Sequence, residues 1–185
     1  MKKLNDIIGK IEKIDRSLED EVQKRLDNLT KPKGSLGRLE DIAKQIVLIT
    51  ENKNPVMEKK VIFTMAGDHG VVEEGVSCFP QEVTIQMVHN FIKGGAGINV
   101  LARHIGAKVV VVDMGVKGNL EIKDSRFKDK KICHGTKNFT KGKAMTKKEA
   151  IMAIEAGIDA FEEEFTDGID IVGTGDMGIG NTTPS

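Results

Sequence analysis

The chain has 185 residues, with Lys plus Arg and Asp plus Glu at 28 each and a formal net charge of zero. Such a length buries one core of ordinary domain size, and the balanced charge speaks against a generic binder of nucleic acid or membrane surfaces, which carries a basic excess. Its two cysteines, Cys78 and Cys133, are too few for a disulfide scaffold or a four-ligand zinc site. The charged, amphipathic start has no signal-peptide core and no apolar run approaches a membrane span, so a cytoplasmic protein is expected. Trp and Tyr are absent, which leaves Phe, Met and aliphatic side chains to pack any planar ligand.

Leu4, Ile7, Ile8, Ile11 and Ile14 recur at three and four residues and predict an amphipathic helix. Leu18, Val22, Leu26 and Leu29 predict a second. Lys31-Pro32-Lys33-Gly34-Ser35-Leu36-Gly37-Arg38-Leu39-Glu40 cannot continue it, because Pro and two Gly interrupt the pattern. It reads as an interhelix loop with a capping Ser35. The next helix carries Leu39, Ile42, Ile46 and Ile49 and ends near Asn52 to Pro55. Residues 1–55 are thus expected as a helical segment and 56–185 as an α/β core.

Val61 to Ala66 is a β-branched and apolar run of strand type, and it leads straight into Gly67-Asp68-His69-Gly70. Open α/β sheets keep their ligands just past the carboxyl ends of strands. Asp68 and His69 invite a metal or acid-base reading, but neighbouring side chains of an extended segment point apart and no third ligand is near. Asp68 is therefore read as bonding loop amides, with no metal expected. Residues 71–80 form a loop, followed by a helix over 81–93 with Val83, Met87, Val88 and Phe91 inward. Gly94 to Gly97 breaks the pattern, and Ile98, Leu101, Ala102 and Ile105 make a short helix that closes at Gly106. Lys108 to Val112 is a second core strand, running through Asp113 to Met114-Gly115.

From Lys117 to Thr146 the chain is polar and basic, an edge excursion with at most one short strand. Thr146 with Glu149 has the spacing of a capping box and opens a helix through Ile154, Ile158 and Phe161. Ile169 to Val172 then reads as a buried parallel strand. Gly173-Thr174-Gly175-Asp176-Met177-Gly178-Ile179-Gly180-Asn181 follows, with four glycines in eight residues. Thr182 and Thr183, before Pro184, look like an N-cap and a first helical position. Strand, glycine loop and helix start would make an anion cradle with Asp176 at its mouth. Strands alternating with helices imply parallel crossovers, hence a doubly wound, Rossmann-like α/β sheet.

Five motifs narrow this further: Lys31 to Gly37; Ala66-Gly67-Asp68-His69-Gly70-Val71; Gly75-Val76-Ser77 with Pro80-Gln81-Glu82-Val83-Thr84; Gly135-Thr136 with Asn138-Phe139; and Gly178-Ile179-Gly180-Asn181-Thr182-Thr183. Their order resembles that of the nicotinate-nucleotide:dimethylbenzimidazole phosphoribosyltransferases of cobalamin nucleotide-loop assembly, over nearly the whole chain. The resemblance implies a Rossmann-like enzyme, usually a homodimer, that moves the phosphoribosyl group of nicotinate mononucleotide onto a benzimidazole nitrogen. No cofactor, metal, nucleic acid or membrane partner is implied.

By the same resemblance Ser77, Phe79, Gln81 and Gln86, with Met87 beside them, line the benzimidazole pocket, and Gly175, Gly178, Gly180 and Asn181 border the ribose phosphate. Asp176 stands where the family generally has Glu, and Lys143 where Pro is common. Family members continue well beyond this last motif and carry their main base there. Asp176 is accordingly the one catalytic candidate within the chain, and these 185 residues alone are expected to be inactive. The alternative reading is a non-catalytic, half-length module that keeps a nucleotide or benzimidazole pocket.

Overall fold

A computed structural model describes residues 2–185, which fall into two compact units. Residues 5–57 form one. The other comprises residues 58–185 and the first residues of the chain, through Leu4.

Helix α1 spans Lys2–Ile8. It stops at Gly9, and residues 11–16 have no regular structure, with Ile11 and Ile14 exposed. The expected stripe from Leu4 to Ile14 is thus only half realised: Gly9 costs helical stability and nothing packs on the second half to recover it. Helices α2 (Glu19–Asp27) and α3 (Arg38–Thr50) pair, and each buries a valine, Val22 and Val47. Leu39, Ile42 and Ile49 lie on the exposed side of α3, while Glu40, Val47 and Leu48 are buried. Ser35 does not cap this helix; Gly37 occupies the cap position with a φ of 53°. Glu40 organises the preceding loop instead, its Oε1 accepting from Lys31 Nζ at 2.8 Å and Leu36 N at 3.1 Å. Those two donors, Lys31 first, hold its carboxyl below the usual range.

The second unit is built on a parallel sheet in the order β3-β2-β1-β4. Its strands are β1 (Lys60–Gly67), β2 (Ala107–Gly115), β3 (Phe127–Asp129) and β4 (Ile171–Met177). Helices α4 (Val83–Lys93) and α5 (Gly97–Ile105) connect β1 to β2, and α6 (Lys147–Glu164) precedes β4. The period of two along β1 and β2 divides the core. Ala66 and Val111 pack with Val88 and Phe91 of α4, whereas Val61, Phe63, Val110 and Val112 pack with Ala160 of α6. Val88 and Phe91 each contribute about 1.5–3 kcal/mol by burial. Thr146 caps α6 as expected, its Oγ1 accepting from Glu149 N at 3.2 Å while Glu149 Oε2 accepts from Thr146 N at 2.6 Å.

Two expectations fail at the last strand. Within the described residues β4 is not buried: it sits at the sheet edge, pairs with β1, and leaves Ile171 and Val172 exposed. Nor does the glycine run lie wholly in a loop, because β4 continues through Gly175 to Met177. Gly173 faces the Ile62 side chain, 3.3 Å from where a Cβ would stand, so a side chain there would have to displace Ile62 by a few tenths of an ångström.

Candidate functional site

Three chain reversals meet at the carboxyl edge of the sheet. At the end of β2, Asp113 Oδ1 accepts from Gly115 N at 3.0 Å and Val116 N at 2.8 Å, closing the turn. Its other oxygen lies 3.0 Å from Lys131 Nζ, which also donates to Val116 O at 2.5 Å and Gly118 O at 2.7 Å. Asp113 Oδ2 is thus compensated by charge, without the geometry of a hydrogen bond. At the end of β1, Asp68 is 2% exposed and its Oδ2 accepts from Lys117 N at 2.7 Å, a carboxylate bonding loop amides as its setting suggested. Asp68 Oδ1 has no hydrogen-bond partner among the described residues.

The third reversal follows β4. Asn181 N bonds to Gly178 O, Thr183 N to Gly180 O and Ser185 N to Asn181 O, successive turns that reach an i−4 bond of the helical kind at the last residue. Ile179 N donates to Thr84 Oγ1 at 3.1 Å, tying the turn to α4. The Ile179, Asn181 and Thr183 amides are thus engaged within the protein. The close approach at Gly178 is to Gly67 and His69.

Between this edge and the first turns of α6 lies a cleft of about 200 Å³. Met65, Met114, Met145 and Met177 supply its apolar wall, with His69, Glu149 and Asp176 among its polar groups. Met65 and Asp176 are partners in the β1–β4 register, which places both side chains on the α6 face. Asn181 Nδ2 holds Asp176 Oδ2 at 2.5 Å. Burial pushes the half-buried His69 imidazole below the usual histidine range, against the opposing pull of Asp176 and Asp68. Thr146 holds the Glu149 carboxyl low, first through its backbone N–H. Burial, reinforced by Glu149, raises the Cys133 thiol. Among the described residues no three His, Cys, Asp or Glu side chains are grouped so as to hold a metal ion.

A family profile described as phosphoribosyltransferase matches residues 11–185. The nicotinate-nucleotide–dimethylbenzimidazole phosphoribosyltransferase of Geobacter sulfurreducens is 55% identical over 188 residues, covering 98% of this chain and 51% of that protein. The protein of the same name from Citrifermentans bemidjiense is 55% identical over 100% of this chain and 53% of its own length. The chain belongs to the nicotinate-nucleotide–dimethylbenzimidazole phosphoribosyltransferase family. The crystal structure of CobT from Thermus thermophilus superposes with a TM-score of 0.86 at 42% identity, over 90% of this chain and 50% of that one. This family member spans about half the length of the curated relatives it matches.

The residues that family resemblance singled out fall into two groups. Asp176, Gly178 and Asn181 sit together at the carboxyl edge beside His69, and Gln81 joins them by donating from Nε2 to His69 O at 3.4 Å. Gly180, with φ of 82°, backs onto Val72 and Val76, the segment that leads into Ser77. Gly175 lies within β4 opposite Thr64. Ser77 Oγ accepts from Phe79 N at 3.2 Å, and the Phe79 ring is 65% exposed. On α4, Gln86 is exposed and Met87 packs on the core beneath the helix. None of Ser77, Phe79, Gln81, Gln86 and Met87 lines the methionine-walled cleft. Sequence reasoning missed His69, Met65, Met114, Met145 and Glu149 as one group. The signal was present only as residues following strands; their convergence needed the register.

Proposed function

We propose that the protein carrying this chain transfers the phosphoribosyl group of nicotinate mononucleotide to 5,6-dimethylbenzimidazole, giving α-ribazole 5′-phosphate and nicotinate for the lower ligand of cobalamin. The observation that carries this reading is 55% identity, spread over the full chain, to relatives bearing that name.

The chemistry suits the carboxyl edge. Nicotinate leaves a pyridinium as a neutral ring nitrogen and needs no general acid, metal or redox cofactor. The azole must lose a proton, which requires a base. Asp176 is the candidate acceptor here, with the main base expected beyond residue 185. Ser77, Phe79, Gln81 and Gln86, with Met87 supporting them from the core, are proposed to meet the azole. The exposed Phe79 ring offers it a stacking face. Gly175, Gly178, Gly180 and Asn181 are proposed to border the ribose phosphate. The working form is read as a cytoplasmic homodimer; no described helix is long and apolar enough to cross a membrane. Incubating the full-length protein with both substrates and separating the products by chromatography tests the reading. Failure to form α-ribazole phosphate would overturn it.

A further inference from the structure

Of the five ordered motifs, Gly135-Thr136 with Asn138-Phe139 supplies no residue to the proposed azole or phosphate contacts. Its residues lie against the short 3₁₀ helix Gly70–Glu74 that follows β1, and they hold both ends of it. At the first end Gly70 N donates to Thr136 Oγ1 at 3.3 Å. The two backbones are so close there that a side-chain carbon on Gly70 would stand 2.5 Å from Asn138 N. At the last end Asn138 Nδ2 donates to Glu74 Oε1 at 2.6 Å. Asn138 is 7% exposed, and its Oδ1 is engaged as well, accepting from Thr140 N at 3.1 Å. The Thr140 hydroxyl closes the group, 2.8 Å from Asn138 Oδ1 and 3.2 Å from Glu74 Oε1. A buried amide bonded through both its oxygen and its nitrogen has one orientation, so the Glu74 carboxylate is held in one place.

The segment that Glu74 leads into is held far less. Gly75, with a φ of 71°, turns the chain out of the helix, and among the described residues the hydrogen bonds of residues 76–79 stay within that stretch, from Phe79 N to Ser77 Oγ. The loop is therefore anchored by hydrogen bonds at its two ends. One is the charge-assisted contact of Asn138 with Glu74; the other is Gln81 Nε2 to His69 O at 3.4 Å, the longer and weaker of the two. Resting on the phosphoribosyl-transfer reading above, we propose that Asn138 is a positioning residue for the azole: it fixes Glu74, and Glu74 fixes the start of the loop that presents Ser77 and Phe79. Without that anchor the loop has to be ordered when the azole binds, so the entropy of ordering moves from folding to binding and weakens azole affinity. Once the azole is bound the loop is in place, and the chemical step proceeds as before. The residues read as bordering the ribose phosphate lie on β4 and the turn after it, so nucleotide affinity does not depend on this anchor.

Steady-state kinetics of the full-length protein give KM for 5,6-dimethylbenzimidazole and for nicotinate mononucleotide, each with the other substrate saturating. Asn138→Ala is expected to raise the azole KM about tenfold, the scale of one hydrogen bond to a charged group, with kcat and the nucleotide KM within about twofold of the wild type. Glu74→Ala does the same from an exposed position, and the double variant is no worse than either single one, because all three remove one contact. Glu74→Gln keeps an oxygen for the Asn138 amide and stays nearer to the wild type than Glu74→Ala does. If circular dichroism shows that Asn138→Ala does not fold, the two Glu74 variants decide the question. Effects that add in the double variant, equal rises in both KM values, a loss confined to kcat, or a wild-type azole KM in Glu74→Ala overturn the assignment. Calorimetric titration with 5,6-dimethylbenzimidazole alone repeats the comparison without turnover. A protein whose azole affinity falls about tenfold in Glu74→Ala but which forms no α-ribazole phosphate refutes the functional reading alone. A working transferase whose azole affinity ignores Glu74 refutes only the positioning role, and a protein that neither binds the azole nor transfers to it refutes both.

Discussion

The main chain at Gly178 passes so close to Gly67 that a side-chain carbon at position 178 would stand 1.9 Å from the Gly67 carbonyl oxygen. The ends of β1 and β4 are therefore closed backbone on backbone, with no flexible group to move aside. Gly175, two residues before the end of the same strand, has open space where its side chain would be. Gly178→Ala is expected to cost at least about 1–3 kcal/mol through overpacking, while Gly175→Ala stays within about 0.5 kcal/mol, as surface changes do. Thermal denaturation of the two variants checks the contrast. Equal melting temperatures would show that the turn after β4 yields easily.

His69 should titrate below the ordinary histidine range, because burial disfavours its charged form. Asp176 opposes that shift. Asp176→Asn is therefore expected to lower the His69 value further, read from its ring proton by NMR. A depressed value means that the folded state binds fewer protons than the unfolded chain. Its contribution to stability is present above the unfolded histidine value of about 6.5 and is lost as pH falls through the folded one. A rise on Asp176→Asn would contradict the electrostatic reading of this edge.

Asp113 is 1% exposed, and Lys131 lies 3.0 Å away. Lys131→Met leaves that carboxylate buried without its counter-charge and is expected to cost about 3–5 kcal/mol. Adding Asp113→Asn should recover part of the loss, since the neutral amide keeps an oxygen for the Gly115 and Val116 amides. Urea denaturation of both single variants and the double variant measures the coupling. Strict additivity would mean that the pair does not act as a pair.

Arg126 holds Asp124 at about 2. The same guanidinium donates to Ile92 O at 2.7 Å and the Arg126 carbonyl accepts from Val111 N, so the pair anchors the approach to β3. A depressed carboxylate stabilises the fold above its unfolded value of about 3.9, and that contribution disappears as pH falls from there toward about 2. Solvent screens this partly exposed pair, so Asp124→Asn is expected to cost only about 0.2–1 kcal/mol at neutral pH and almost nothing near pH 2. Parallel pH profiles for the wild type and the variant would exclude the linkage.

Local pattern was enough for the elements whose signals are local. The valine run of β2, the apolar face of α4 and the Thr146–Glu149 box of α6 each follow from neighbours within one or two turns. Five ordered motifs likewise carried the family. Helix α1 was overextended because periodicity says nothing of whether a partner covers Ile11 and Ile14. The exposure of β4 was also illegible: Ile171 and Val172 have core chemistry, and the strand order within the described residues puts them at the sheet edge. The glycines after Val172 look alike in sequence and differ in cause. Gly173 stands in tight contact with Ile62, Gly178 avoids Gly67, and Gly180 takes a positive φ. Most of all, the cleft needed tertiary structure. Met65, Met114, Glu149 and Asp176 are far apart in the chain, and parallel register with one helix crossover brings them to the same face. That register is set by which face of each strand is buried, a property of the assembled layers and of no single segment.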